Sequence, residues 1–181
     1  MRLVAMLTLI QTLSAAGTSV LTANYGNGRT SANLQETTLT PANVVRGSFG
    51  KIGSFPVDGQ VYAQPLYVAG VKVGNGTHNM LLVATQHNSV YNYDADSATA
   101  PVLLWHVNLG PSVPATAWAN FHDITPEIGI LSTPVVDAGR GVIYVVAFTQ
   151  EGGSLIYRLH ALDIATGHEM LNGPTVISAS V

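Results

Sequence analysis

The chain has 181 residues, of which 47% are hydrophobic, 18 are glycine and 9 are proline; this suits one domain of short strands and turns and excludes a disordered segment. Only 9% of residues are charged, the net charge is −3 and the 7 basic residues are scattered, so the footprint of a nucleic-acid binder is missing. There is no cysteine, which excludes a disulfide framework, a thiolate metal site and a cysteine nucleophile.

In chain order, residues 1–16 read as a signal peptide. Arg2 supplies a minimal positive region, Leu3 to Leu13 is mostly apolar, and Ser14-Ala15-Ala16 offers small residues for cleavage before Gly17. The alternative is an uncleaved anchor or an ordinary apolar N-terminus. The stretch is too short to span a bilayer, which takes about 20 apolar residues, and no other segment reads as transmembrane. The expected location is secreted or periplasmic. Mass spectrometry of the exported protein should find its N-terminus near Gly17; an intact 1–16 segment would overturn this reading.

Residues 17–60 read as an N-terminal loop region and an edge strand. Tyr25 to Asn33 is rich in Gly and Asn, which tolerate positive φ. In Leu39 to Val44, Thr40 suits a helix cap and Pro41 a first helical position. Phe49 to Val57 alternates loosely and predicts a strand.

From there a segment occurs twice, offset by 69 residues. Pro65 matches Pro134, and Asp94 matches Asp163. The first unit, 61–109, predicts strands at 62–68, 80–85, 89–94 and 103–108, with a hairpin loop from Gly70 to His78 and a turn at Gln86-His87-Asn88. The second, 131–179, predicts strands at 131–137, 142–148, 155–162 and 174–179, with turns at Asp137 to Gly141 and at Glu151-Gly152-Gly153. At Asp163-Ile164-Ala165-Thr166-Gly167 the Asp can accept from backbone N–H groups and Gly167 supplies positive φ. The first unit keeps Asp94 but has no glycine there, which predicts a looser or longer turn. Between the units lies an insertion, 111–129, of a length that tends to be functional or disordered. Such units bury both faces only by stacking. The expected fold is all-β: a partial β-propeller of four-stranded antiparallel blades, about two blades over 61–181 plus flanking strands.

Several residue groups have two readings. Asp94, Asp96 and Ser97 are oxygen ligands for calcium or parts of a structural turn. His122, Asp123 and Glu127, in the insertion, form a base or metal site, or are ordinary loop polar groups with Glu127 capping backbone donors. Trp105 is a stacking platform or inter-blade packing, and Trp118 is the better candidate for stacking a flat cofactor. Asn75-Gly76-Thr77 matches a glycosylation sequon. His87, His160 and His168 have no metal-ligand spacing.

Leu159 to Gly167, with Val90 to Asp96 and Leu104-Trp105-His106-Val107 in the other copy, resembles the pyrroloquinoline-quinone repeat, the blade of quinoprotein-dehydrogenase-like β-propellers. Leu39 to Val44 resembles the stretch before the first blade of such proteins. Pro56-Val57-Asp58-Gly59 through Pro65-Leu66-Tyr67, and Pro126-Glu127-Ile128-Gly129 through Thr133-Pro134, are similar to phrases of exported bacterial proteins with this repeat. The resemblance covers 22–181. It implies pyrroloquinoline quinone as the cofactor and quinoprotein oxidoreductase chemistry as the activity. The chain departs from the pattern. Complete family members close a ring of about eight blades, and this chain has length for two. The adjacent-cysteine disulfide that stacks the quinone is missing. The blades carrying the catalytic Asp and calcium ligands have no counterpart, so no catalytic residue carries over. The expected function is therefore an exported segment with a binding or assembly role, partnered by further blades or copies of itself. The alternative is an N-terminal fragment of a quinone-dependent alcohol or sugar dehydrogenase, which the strand-like ending at Ser178 to Val181 favours.

Overall fold

A computed structural model describes residues 17–117 and 123–178. The signal-peptide reading, Trp118 and His122 fall outside them. The fold is all-β, built on two four-stranded antiparallel sheets. In the first, β1 (Leu66–Val73), β2 (Gly76–Ala84), β3 (Ser89–Asp94) and β4 (Leu103–Asn108) lie in sequence order. A two-residue pair, β5 (Val113–Pro114) with β6 (Glu127–Ile128), follows. The second sheet repeats the order with β7 (Val135–Asp137), β8 (Val142–Glu151), β9 (Ser154–Asp163) and β10 (Thr175–Ile177). Neither sheet closes on itself.

The first strand of each sheet starts later than its apolar run predicts, just after Pro65 and Pro134. Proline lacks the N–H a ladder needs. The predicted loop over Gly70 to His78 shrinks to Gly74-Asn75, because β1 and β2 pair through to Val73 opposite Gly76. The left-handed φ of Gly74, 58°, makes that tight turn. It leaves the sequon's Asn75 exposed at the hairpin tip.

The strand predicted over Phe49 to Val57 does not form. The segment instead lies extended over the aromatic face of β3 and is held by side chains. Phe55 packs on Tyr93 with ring centroids 5.2 Å apart. The Tyr93 hydroxyl donates to Pro56 O, and the Asp58 N–H donates to the Tyr91 hydroxyl at 3.2 Å. Phe55 meets a ring, but Phe49 and Ile52 are 58% and 77% exposed, so the alternation does not mark one buried face, and among the described residues the segment joins neither sheet. The role of an edge falls to residues 19–21. Val20 bridges Tyr67, and Leu21 O accepts from the Val136 N–H at 2.8 Å, tying both sheets together. The helical turn at Thr40 is a single turn: its carbonyl accepts from Val44 at 2.9 Å. The capping oxygen is Asn43 Oδ1, which accepts from the Thr40 N–H at 2.8 Å.

The sheets stack face to face through one apolar cluster. Leu66, Val68, Leu82 and Val90 from the first meet Val136, Ile143, Val145 and Leu162 from the second. Trp105 on β4 is 8% exposed and wedges between them. Its Nε1–H donates to Ile164 O at 3.0 Å, so the packing reading of this side chain fits its place, not the platform reading.

Local turns follow side-chain chemistry. Asp163 Oδ1 accepts from the N–H groups of Ala165 (3.0 Å) and Thr166 (2.8 Å) and from the Thr166 hydroxyl (2.8 Å). Gly167 has φ 73°. Asp163→Ala should cost about 1–2 kcal/mol, the net worth of such bonds; urea denaturation indistinguishable from the parent would contradict this. In the other copy Ala95–Ser97 forms a 3-10 turn, with Asp94 Oδ1 accepting from the Asp96 N–H at 3.0 Å. The carboxylates weighed between calcium ligation and a structural turn are engaged by donors: Asp94 Oδ2 by His78 Nδ1 at 2.8 Å, and Asp96 Oδ2 by Asn79 Nδ2 at 2.9 Å. Among the described residues, no group of three or more His, Cys, Asp or Glu gathers as a metal site would require, and no helix is long and apolar enough to cross a membrane.

Candidate functional site

Antiparallel order brings the starts of β1 and β7, the β2–β3 and β8–β9 loops and the 109–134 connection to one end of the molecule. Polar side chains concentrate there. The β2–β3 loop, Gln86-His87-Asn88, is the organiser. Gln86 is buried; its Oε1 accepts from the Gly129 N–H and its Nε2 donates to Ile130 O, both at 2.9 Å. Asn88 is also buried and donates through Nδ2 to Phe148 O at 2.8 Å. These two amides stitch the first sheet to the insertion and to the second sheet. Gly129 sits so close to the loop backbone that a side chain there would collide with Gln86 and Asn88.

Between the two amides, the half-exposed His87 places Nδ1 3.0 Å from both oxygens of Glu127. The Ser112 hydroxyl donates to Glu127 Oε2. Pairing of Val113 with Ile128 and Pro114 with Glu127 turns the insertion into a hairpin that presents this carboxylate. Glu127 therefore accepts from side chains, not from the backbone donors it was expected to cap. Asp123 is exposed, apart from this cluster's hydrogen bonds. Of the three insertion residues read as a candidate site, Glu127 joins a constellation, and its partners are His87 and Ser112.

The order of that constellation limits its chemistry. Nucleophilic catalysis needs a base between hydroxyl and carboxylate. Here the carboxylate lies between hydroxyl and imidazole, so the Ser112 proton points at Glu127 and receives no help from His87. The cluster suits fixing the loop end and presenting an imidazole outward.

Beside it, Asp58 accepts from the Thr85 hydroxyl at 2.8 Å and the Ser89 hydroxyl at 2.6 Å. Burial opposes its ionisation, but the bonds from Ser89, Thr85 and Tyr91 outweigh that and hold its pKa below the ordinary value. Across the end, Arg158 donates to both oxygens of Glu151, at 2.7 and 2.6 Å. Those bonds, with one from the Thr149 hydroxyl, hold Glu151 down at about 2. A depressed carboxylate stabilises the fold above its unfolded pKa, and that contribution is lost as pH falls through the folded value. Acid unfolding should therefore steepen between about pH 4.5 and 2. In Asp58→Asn and Glu151→Gln variants, followed by circular dichroism, the slope should flatten. An unchanged slope in both would contradict the assignment.

The tripeptide Gln86-His87-Asn88 was legible as a turn but not as an organiser. One signal was available: the corresponding turn of the second copy is Glu151-Gly152-Gly153, so the first copy spends three large polar residues where two glycines suffice. Compared with known proteins, the chain matches no family model, no curated protein and no solved structure.

Proposed function

We propose that this chain is an exported β-propeller segment of the pyrroloquinoline-quinone-repeat type whose role is binding or assembly, and whose partner is a further blade-like sheet. One observation carries the reading. Leu66 and Val90 face the second sheet and are both 0% exposed; their equivalents at the repeat offset, Val135 and Leu159, are 46% and 39% exposed. The second sheet thus presents the surface that the first sheet buries, with Leu155, Tyr157 and Ile177 on the same exposed face. The opposite face of the pair is roofed by residues 53–58. A second support is local. Gln64 and Thr133 are repeat equivalents, and the Gln64 N–H donates to Thr133 Oγ1 at 2.9 Å, so the two units approach each other at matched positions.

The occupant is either another repeat unit or a second copy of the chain, and both present an apolar sheet face. Leu159→Asp and Tyr157→Asp should suppress self-association of the chain beginning at Gly17, measured by light scattering, while leaving its secondary structure intact. Unchanged association in both variants would sink the proposal. The oxidoreductase reading would be favoured instead by saturable uptake of pyrroloquinoline quinone with alcohol-dependent dye reduction.

A further inference from the structure

Asparagine precedes glycine three times, at Asn27-Gly28, Asn75-Gly76 and Asn172-Gly173. This pair permits a reaction that most neighbours obstruct. The amide nitrogen of the glycine, once its proton is lost to a base, adds to the side-chain carbonyl carbon of the asparagine. The new C–N bond closes a succinimide ring, and the side-chain nitrogen leaves as ammonia. Water then opens one of the ring carbonyls and leaves aspartate or isoaspartate. Glycine favours the step because no Cβ shields its nitrogen or restricts its backbone. The step also needs a free glycine N–H and a peptide that can rotate, and the fold treats the three pairs differently.

Asn172-Gly173 is held at the reacting atom. The Gly173 N–H donates to Met170 O at 2.9 Å, closing a turn whose central residues, Leu171 and Asn172, have φ 56° and 58°. Asn75-Gly76 is held by a ladder. Asn75 is exposed at the hairpin tip, but Gly76 opens β2 and pairs with Val73, so turning its peptide breaks the end of the sheet. Asn27-Gly28 has neither restraint. Both residues are exposed and lie outside the strands. Their turn closes between the Arg29 N–H and Gly26 O at 2.9 Å, one residue past the reacting nitrogen. Among the described residues, no hydrogen bond engages the Gly28 N–H or the Asn27 side chain.

We propose that Asn27 is a site of spontaneous deamidation in the folded chain, converted through a succinimide with Gly28 to aspartate and isoaspartate, while the fold protects Asn75 and Asn172. The product adds a negative charge to a residue that lines, together with Asp137, a crevice of about 480 Å³. The isoaspartate form also lengthens the main chain inside the Gly26–Arg29 turn. The reaction needs only water, so the inference does not rest on the binding or assembly reading.

The test is peptide mapping by mass spectrometry of the whole chain, incubated at mildly alkaline pH, scoring amide-to-acid conversion at each pair. Conversion at Asn27 should run about tenfold faster than at Asn75 or Asn172, since those must first open hydrogen-bonded structure. In urea the three rates should converge. Gly28→Ala should suppress conversion at Asn27 and leave the circular dichroism unchanged. Gly28 is not left-handed, and a Cβ there meets only Thr30 Cγ2, at 3.7 Å. Equal rates at the three pairs in the folded chain, an unconverted Asn27, a ranking that persists in urea, or a Gly28→Ala chain that converts as fast as the parent would each overturn the proposal.

Discussion

Gly167→Val is expected to destabilise the chain by about 2–5 kcal/mol. Two costs combine. Gly167 has φ 73°, a left-handed conformation that costs a residue with a Cβ roughly 1–2 kcal/mol and a β-branched one more. A Cβ at this position would also lie 2.6 Å from Cε3 of Trp105, and overpacking of this kind costs about 1–3 kcal/mol. Pairing the milder Gly167→Ala with Trp105→Ala separates the terms. With the indole gone, the alanine should cost only its backbone strain, so the two substitutions should be coupled favourably. Strict additivity in urea denaturation would show that the glycine answers to the turn alone.

Trp105→Ala should cost about 3–5 kcal/mol, the usual penalty for emptying a large aromatic site. The indole fills the wedge between the sheets, against Gly167, and donates to Ile164 O. Trp105→Phe keeps most of the volume but leaves that carbonyl with only the long 3.4 Å bond from Asn92 Nδ2; it should cost roughly 1–2 kcal/mol. A Trp105→Ala chain as stable as the parent would mean that the sheets do not depend on this wedge.

The strands were legible where the pattern answers to one cause. β3 and β4 fall at 89–94 and 103–108 as predicted, because turn residues bound them: Gln86-His87-Asn88 and Asp94 to Ser97 around β3, and Gly110 just past β4. Phe49 to Val57 shows the converse. Its alternation is real, yet Phe55 packs on Tyr93 while Phe49 and Ile52 are exposed, and periodicity alone does not say whether a strand partner is present. The site was legible only in part. Glu127 stood out because a carboxylate in a long insertion is conspicuous. His87, 40 residues away, did not, since nothing in local spacing announces that a two-strand pair will fold the insertion back over the β2–β3 loop. His160 was read as a histidine without metal-ligand spacing, which remains true. Its burial and its pairing with Glu169 are properties that only packing creates.

The measurement that bears most directly on the account is the association state of the chain beginning at Gly17. Light scattering across a concentration series, with binding of a dye that reports apolar surface, reads the exposed face of β7–β10 as a whole. The account predicts concentration-dependent association with dye binding, and loss of both in a longer chain that carries further repeats. A cooperative monomer that binds no dye would contradict it, and would mean that the two sheets form a complete small β-domain that needs no neighbour.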